Sequence, residues 1–135
     1  MREIKLRGKR PKSGKWVYGS LVWSPDSGVA PDIFDWETRE YASVDPATVG
    51  QYTGRKDKNG VEIYEGDVVR YNTGEVWFVE WDSKQAAFVY KNRIIADGDG
   101  RHKPSGIGYG QVLGMHEVEV VGNIYANPEL LKEAV

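Results

Sequence analysis

The sequence predicts an all-β protein, and three observations carry that expectation. Five Trp and eight Tyr fall among 135 residues, together with 16 Gly and frequent valine; aromatic and β-branched side chains suit a pleated, half-buried backbone. Several short segments alternate apolar and polar residues with a period of two, as strands with one buried face do. Residues 51–71 place Gly54, Gly60, Gly66 and the Asn59-Gly60 pair between tyrosine-rich and β-branched segments. Glycine enters φ > 0 without steric cost and asparagine tolerates it. That run therefore reads as strand, tight turn, short strand, turn, strand.

The elements follow in chain order. Residues 2–7 alternate, with Ile4 and Leu6 on one side and Glu3, Lys5 and Arg7 on the other, which predicts a half-buried strand. Gly8-Lys9-Arg10-Pro11-Lys12-Ser13-Gly14 is a turn-rich basic loop, because proline cannot donate to a ladder and glycine permits reversal. Residues 15–23 form a second strand, with Trp16, Val17, Tyr18, Leu21 and Val22 shared between two faces. The pair makes a hairpin that displays Lys9, Arg10 and Lys12 at its tip. Residues 33–36 and 39–44 predict a second hairpin, closed by Glu37-Thr38. Pro46 argues against a helix leading into the central run. Lys58-Asn59-Gly60 is the strongest turn signal in the chain.

Beyond it, residues 67–71, 75–81 and 86–90 are successive strands joined at Asn72-Thr73-Gly74 and Asp82-Ser83-Lys84. Trp77, Val79 and Trp81 lie on one face of the middle strand and Val76 and Phe78 on the other, so it is expected at the centre of a sheet covered on both sides. Three meander strands with short turns describe a small barrel, SH3-like in its economy. Residues 91–110 interrupt the pattern with Gly98, Gly100, Pro104, Gly106, Gly108 and Gly110, a long connection for a compact domain. Residues 117–125 return to strand. Asn127 then caps, Pro128 takes the first helical position and Glu129 faces the positive helix end. A helix so short requires Leu130 and Leu131 to dock on the sheet. The predicted organisation is an N-terminal β lobe over residues 1–60, packed with an SH3-like, partly open barrel over residues 61–135 that carries one short C-terminal helix, the two forming one compact unit.

Composition bounds the function. Hydrophobic residues make up 40% of the chain and charged residues 28%, ordinary for a globular protein. Cysteine is absent, so disulfides, thiolate-bound zinc and thiol catalysis are excluded. No apolar run approaches the roughly 20 residues of a membrane-spanning helix, and residues 1–7 lack the apolar core of a secretory signal. A cytoplasmic protein without a membrane partner is expected. Net charge is −2, but unevenly placed. Arg2, Lys5, Arg7, Lys9, Arg10, Lys12 and Lys15 face a single acid, Glu3, within the first 15 residues, which marks a basic patch on an otherwise acidic chain.

Catalytic motifs are weak. His102 and His116 are the two histidines, and no Gly-x-Ser-x-Gly elbow accompanies them. Asp97-Gly98-Asp99-Gly100 lacks the oxygen spacing and closing glutamate of a calcium loop. Gly106-Ile107-Gly108-Tyr109-Gly110 lacks the spacing and strand–helix context of a dinucleotide fingerprint. Residues 8–15 miss the spacing of a phosphate-binding loop, and Trp16 stands where its hydroxyl residue belongs. Glu65 and Asp67 flank Gly66, and Asp67 is expected to bind local backbone amides rather than act as an acid or base. No catalytic residue, cofactor or metal is expected.

The basic hairpin is the best functional candidate. Arg7, Lys9, Arg10, Lys12 and Lys15 suit phosphate neutralisation. Trp16, with Tyr18 beside it, suits base stacking where exposed. The same lysines would also protect a strand edge from aggregation.

Several blocks together resemble the YopX family of phage and prophage proteins. They are Arg2-Glu3-Ile4-Lys5-Leu6-Arg7-Gly8-Lys9-Arg10, Trp16-Val17-Tyr18-Gly19-Ser20-Leu21, Val44-Asp45-Pro46-Ala47-Thr48-Val49-Gly50, the central run from Gln51 to Gly60, Ile63-Tyr64-Glu65-Gly66-Asp67-Val68-Val69, and the stretch from Glu119 to Leu131. Arg55 departs from the aliphatic residue common there, and residues 91–110 match poorly. The resemblance implies a β-rich fold with an SH3-like portion in a phage-borne protein. The family brings no catalytic or binding residues with it. A non-enzymatic interaction module is expected first, with a protein of host, phage or the chain itself as partner and homo-oligomers within its reach. A nucleic-acid-binding protein using the basic hairpin is the second expectation.

Overall fold

A computed structural model describes residues 1–23, 31–91 and 117–130. The chain divides into two compact units, Met1–Gly54 and Arg55–Val135; the sequence reading set the join at residue 60. Every ladder among the described residues is antiparallel.

The first unit is built on two hairpins. Strand β1 (Leu6–Lys9) pairs with β2 (Trp16–Val22), and β3 (Asp32–Asp35) pairs with β4 (Tyr41–Ser43). The second hairpin turns where Glu37-Thr38 was expected to close it. There Asp35 Oδ1 accepts from the amides of Glu37 (2.8 Å) and Thr38 (3.3 Å). A long strand, β5 (Asp45–Lys56), lies on the other side of β1 and ends in the second unit, to which β6 (Glu62–Tyr64) belongs; the hydrogen-bonded order of the sheet is β4-β3-β2-β1-β5-β6. Val17, Ile33, Ala42 and Val44 form this unit's core, with Val49 packed against it. Gly8 lies on that side of β1 because nothing larger fits. A Cβ there would stand 2.9 Å from Val44 and 3.1 Å from Ile33.

The second unit holds a four-stranded sheet, order β10-β7-β8-β9, made of β7 (Asp67–Tyr71), β8 (Val76–Asp82), β9 (Ala87–Lys91) and β10 (Val118–Asn123). The central strands are apolar on both faces, as expected. Val69, Trp77, Val79, Tyr90, Val118 and Ile63 form one cluster; Val68, Val76 and Phe78 form another, against which Val121, Ile124 and Leu130 pack. Trp81, expected on the same face as Trp77, is 44% exposed at the strand's end. The only described part of the expected C-terminal helix is its entry, where Leu130 donates its amide to the Asn127 carbonyl (3.1 Å). Leu131 and the glycine-rich stretch expected at 91–110 lie outside the described residues, apart from Lys91.

The central run folds as its turns dictate. Gly60 and Gly66 sit at φ 83° and 93°, where a side chain would be strained. Asp57 organises the first of these turns. Its Oδ1 accepts from the amides of Asn59 (2.8 Å) and Val61 (2.9 Å), and its Oδ2 from Val120 (2.9 Å). Asp67 Oδ2 accepts from the Tyr64 amide (2.7 Å), the backbone role expected of it.

Candidate nucleic-acid interface

The basic hairpin is a built loop. Arg10 donates its amide to the Lys15 carbonyl (2.9 Å), Gly14 to Arg10 (3.0 Å), and Lys15 to the Ser13 hydroxyl (3.3 Å). Its base is anchored by Thr48, whose Oγ1 accepts from the Lys9 amide (2.8 Å) and donates to the Asp45 carbonyl (2.6 Å). Arg10, Pro11, Lys12 and Ser13, with Ser43 of β4, line an open concavity of about 310 Å³. Lys12 and Lys15 are exposed; Lys9, Arg10 and Trp16 are half-buried.

Arg7 departs from the expectation that alternation implies. It was expected in solvent and Ile4 inside, but Arg7 is 5% exposed and Ile4 56%. The strand begins only at Leu6, so Ile4 precedes the ladder. Arg7 does share the outward side of β1 with Lys9, but Trp16 comes across from β2 and lies against it. The guanidinium carbon is 4.3 Å from the Trp16 ring centroid, and Lys9 Nζ is 5.7 Å from the same ring. These are cation–π distances. Arg7 thus supports Trp16 more than it meets a ligand.

Register reveals a larger surface than the hairpin tip. Lys9 faces Trp16 and Arg7 faces Tyr18, so these four residues share one side of the β1–β2 pair. Lys5 continues the row, its Nζ 5.6 Å from the Tyr52 ring and 5.9 Å from that of Trp36. Trp36 is held over the sheet by two bonds: its amide donates to the Tyr18 carbonyl (3.2 Å) and its indole N–H to Ser20 Oγ (2.8 Å). Ser20 faces Phe34, Phe34 faces Tyr41, and the last two rings meet edge to face at 5.2 Å. Tyr18, Trp36 and Tyr41 remain 41%, 42% and 66% exposed. Lys5, Trp36 and Tyr41 were missed as site residues. Their gathering depends on pairings across four strands, which no local pattern encodes.

His102, His116, Asp97 and Asp99 lie outside the described residues. Among the described residues no group of three or more His, Cys, Asp or Glu is placed to hold a metal ion, and no helix is long and apolar enough to cross a membrane.

A family model described as YopX protein matches residues 5–132. The chain belongs to the YopX family. The fold of this YopX chain is similar to the crystal structure of protein EF1440 from Enterococcus faecalis, with a TM-score of 0.59 at 21% identity, covering 97% of this chain and 99% of that one. A comparison with curated proteins gave no match. The likeness extends over both units of the YopX fold and leaves the role of the outer face to be argued from its residues.

Proposed function

We propose that this YopX-family protein is a non-enzymatic interaction module of phage or prophage origin, working in the bacterial cytoplasm. In this reading it binds a macromolecular partner on the outer face of its first sheet. The second unit, an SH3-like barrel finished by a short C-terminal helix, is its scaffold. The carrying observation is the exposure of Tyr18, Trp36 and Tyr41 on one continuous set of paired strands. Exposed aromatic clusters mark binding surfaces, because desolvating a ring yields more free energy than desolvating most side chains. A protein partner, a second copy included, is the first expectation.

A Tyr18→Ser, Tyr41→Ser variant tests it. Partners cross-linked to the wild type in phage-infected cells, or oligomers seen by light scattering, are expected to be lost while the circular dichroism spectrum is kept. Identical capture and identical mass for both proteins would rule the face out. A second reading, nucleic acid as partner, is favoured by one specific feature: Lys5 lies over the exposed Trp36 ring, and Arg7 and Lys9 lie over Trp16.

A further inference from the structure

The outer face and the hairpin tip are parts of one surface with two chemistries. Tyr18 and Trp36 are both exposed, and their backbones are paired, the Trp36 amide donating to the Tyr18 carbonyl. Trp16 follows Tyr18 along the same side of β2, half-buried against Arg7. Beyond Trp16 the tip offers Lys9, Arg10, Lys12 and Lys15, with Ser13 and Ser43 beside the Arg10–Lys12 concavity. The order along the hairpin is therefore rings, then cations with hydroxyls. Of the carboxylates close by, Glu3 pairs with Lys5 (3.2 Å), Asp45 Oδ1 accepts the Ala47 amide (3.0 Å) and Asp32 Oδ1 accepts from the Ser43 hydroxyl (3.4 Å), while Glu37 and Glu40 are exposed beside Trp36 and Tyr41.

We infer that the occupant of this face is a single-stranded nucleic acid, its bases stacking on Tyr18 and Trp36 and its phosphates lying along Lys9, Arg10, Lys12 and Lys15. The inference rests on the binding role proposed above for the same face, and takes the second partner class, nucleic acid, over a protein. The chemistry distinguishes strand from duplex. A protein partner uses exposed rings but has no general need of a cation row that continues them. A duplex uses the cations but keeps its bases stacked inside, out of reach of rings that lie on a sheet. Only an unpaired strand presents a π-face and a phosphate at each step, and aromatic rings with basic grooves bind such strands largely without sequence preference. The tip concavity, bounded by Arg10, Lys12 and the Ser13 hydroxyl, suits one phosphate of the chain.

Fluorescence anisotropy with labelled 20-mers at low salt tests this on the full chain. Three probes are compared, mixed-sequence DNA, the same sequence as RNA and its DNA duplex, with the free dye as control. Both single strands are expected to bind at least about tenfold more tightly than the duplex. Tyr18→Ala and Trp36→Ala should each weaken strand binding by about fivefold or more, as expected for the loss of one stacked base. Tyr18→Phe and Trp36→Phe, which keep a ring, should stay within about twofold to threefold. Lys12→Ala should weaken strand and duplex alike.

Equal affinity for strand and duplex, or Ala variants that bind as the wild type does, would overturn the inference. So would a strand that fails to bind at 100-fold excess. If that happens while Tyr18→Ser, Tyr41→Ser still abolishes cross-linking or self-association, the face binds protein and only the present inference fails. If neither measurement responds, both readings fail.

Discussion

Asp57 shows how one side chain can hold distant parts of a chain. Burial acts first against its charged form, but hydrogen bonds from the amides of Val120, Val61 and Asn59, with the nearby charge of Lys58, more than offset this and hold the carboxyl below its usual range. Asp57→Ala strips the partner from three amides, and a loss of roughly 1–3 kcal/mol is expected in urea unfolding. The pH dependence follows from the direction of the shift. A carboxylate with a depressed folded pKa contributes fully above its unfolded value of about 3.9 and loses that contribution as pH falls through the folded value. The gap between wild type and Asp57→Ala should hold from neutral pH to about 5 and narrow as pH falls below about 4; a gap that widens on acidification would contradict it. The carboxylate's bond to Asn59 is the kind a turn sequence announces. Its bond to Val120, 63 residues away, is not.

Tyr71 and Tyr90 set the opposite limit. Burial first, then the charge of Glu75, pushes the Tyr71 hydroxyl up to about 12. Burial and the neighbouring Tyr71 push Tyr90 up too, against the opposing charge of Arg55. An unfolded tyrosine ionises near pH 10. Between there and the folded values the native chain keeps protons that the unfolded chain has lost, so stability falls as pH rises. Tyr90 is buried, and its hydroxyl has no hydrogen-bond partner among the described residues. Tyr90→Phe should therefore cost little at pH 7 and be more stable than wild type at pH 11 by thermal unfolding. A variant that loses stability equally at both values would show that the hydroxyl is satisfied.

At the scale of elements, turns were the most legible feature and faces the least. The Asn59-Gly60 and Gly66 turns were readable because a positive φ requires particular residues. The two glycines differ in what surrounds them. A Cβ on Gly60 meets nothing within 4 Å, whereas one on Gly66 comes 3.0 Å from the Tyr125 ring. Gly66 also donates its amide to the Val79 carbonyl and accepts from Ile124 (both 2.9 Å), so the backbone cannot easily move aside. Gly60→Ala should cost about 1–2 kcal/mol, from conformation alone. Gly66→Ala should cost at least about 1 kcal/mol more, the added overpacking. Urea midpoints at equal slope measure the difference, and a smaller loss at Gly66 would mean Tyr125 yields freely. Strand existence was readable too, from alternation in residues 15–23 and 75–81. Side-chain exposure was not, because Arg7 points outward and is still covered by a ring from the next strand. The length of β5 was hidden by Pro46 and Gly54, which interrupt the apolar pattern. The cations of the candidate site were visible as a sequence cluster, but the rings that complete it become neighbours only through pairing.

For the whole molecule, charge placement outweighs charge total. A chain of net charge −2 with a sequence pI near 5.7 is a poor general ligand for nucleic acid. Salt screens exposed charges beyond about 8 Å at physiological ionic strength, however, so a bound strand responds mainly to the cations it touches. The salt dependence of binding counts those contacts, since each phosphate neutralised on a single strand contributes a slope of about −0.7 to log K against log salt. Contacts from Lys9, Arg10, Lys12 and Lys15 give an expected slope near −3. Removing two of them in Lys12→Ala, Lys15→Ala should bring it to about −1.4, while Tyr18→Ala should lower the affinity at every salt concentration and leave the slope unchanged. Anisotropy titrations between 25 and about 200 mM salt separate the two effects. A slope that is the same in the lysine variant as in the wild type would place the phosphates elsewhere on the protein. A slope that falls in the tyrosine variant would mean that ring and cations do not act as the separate stacking and charge-neutralising parts assigned to them.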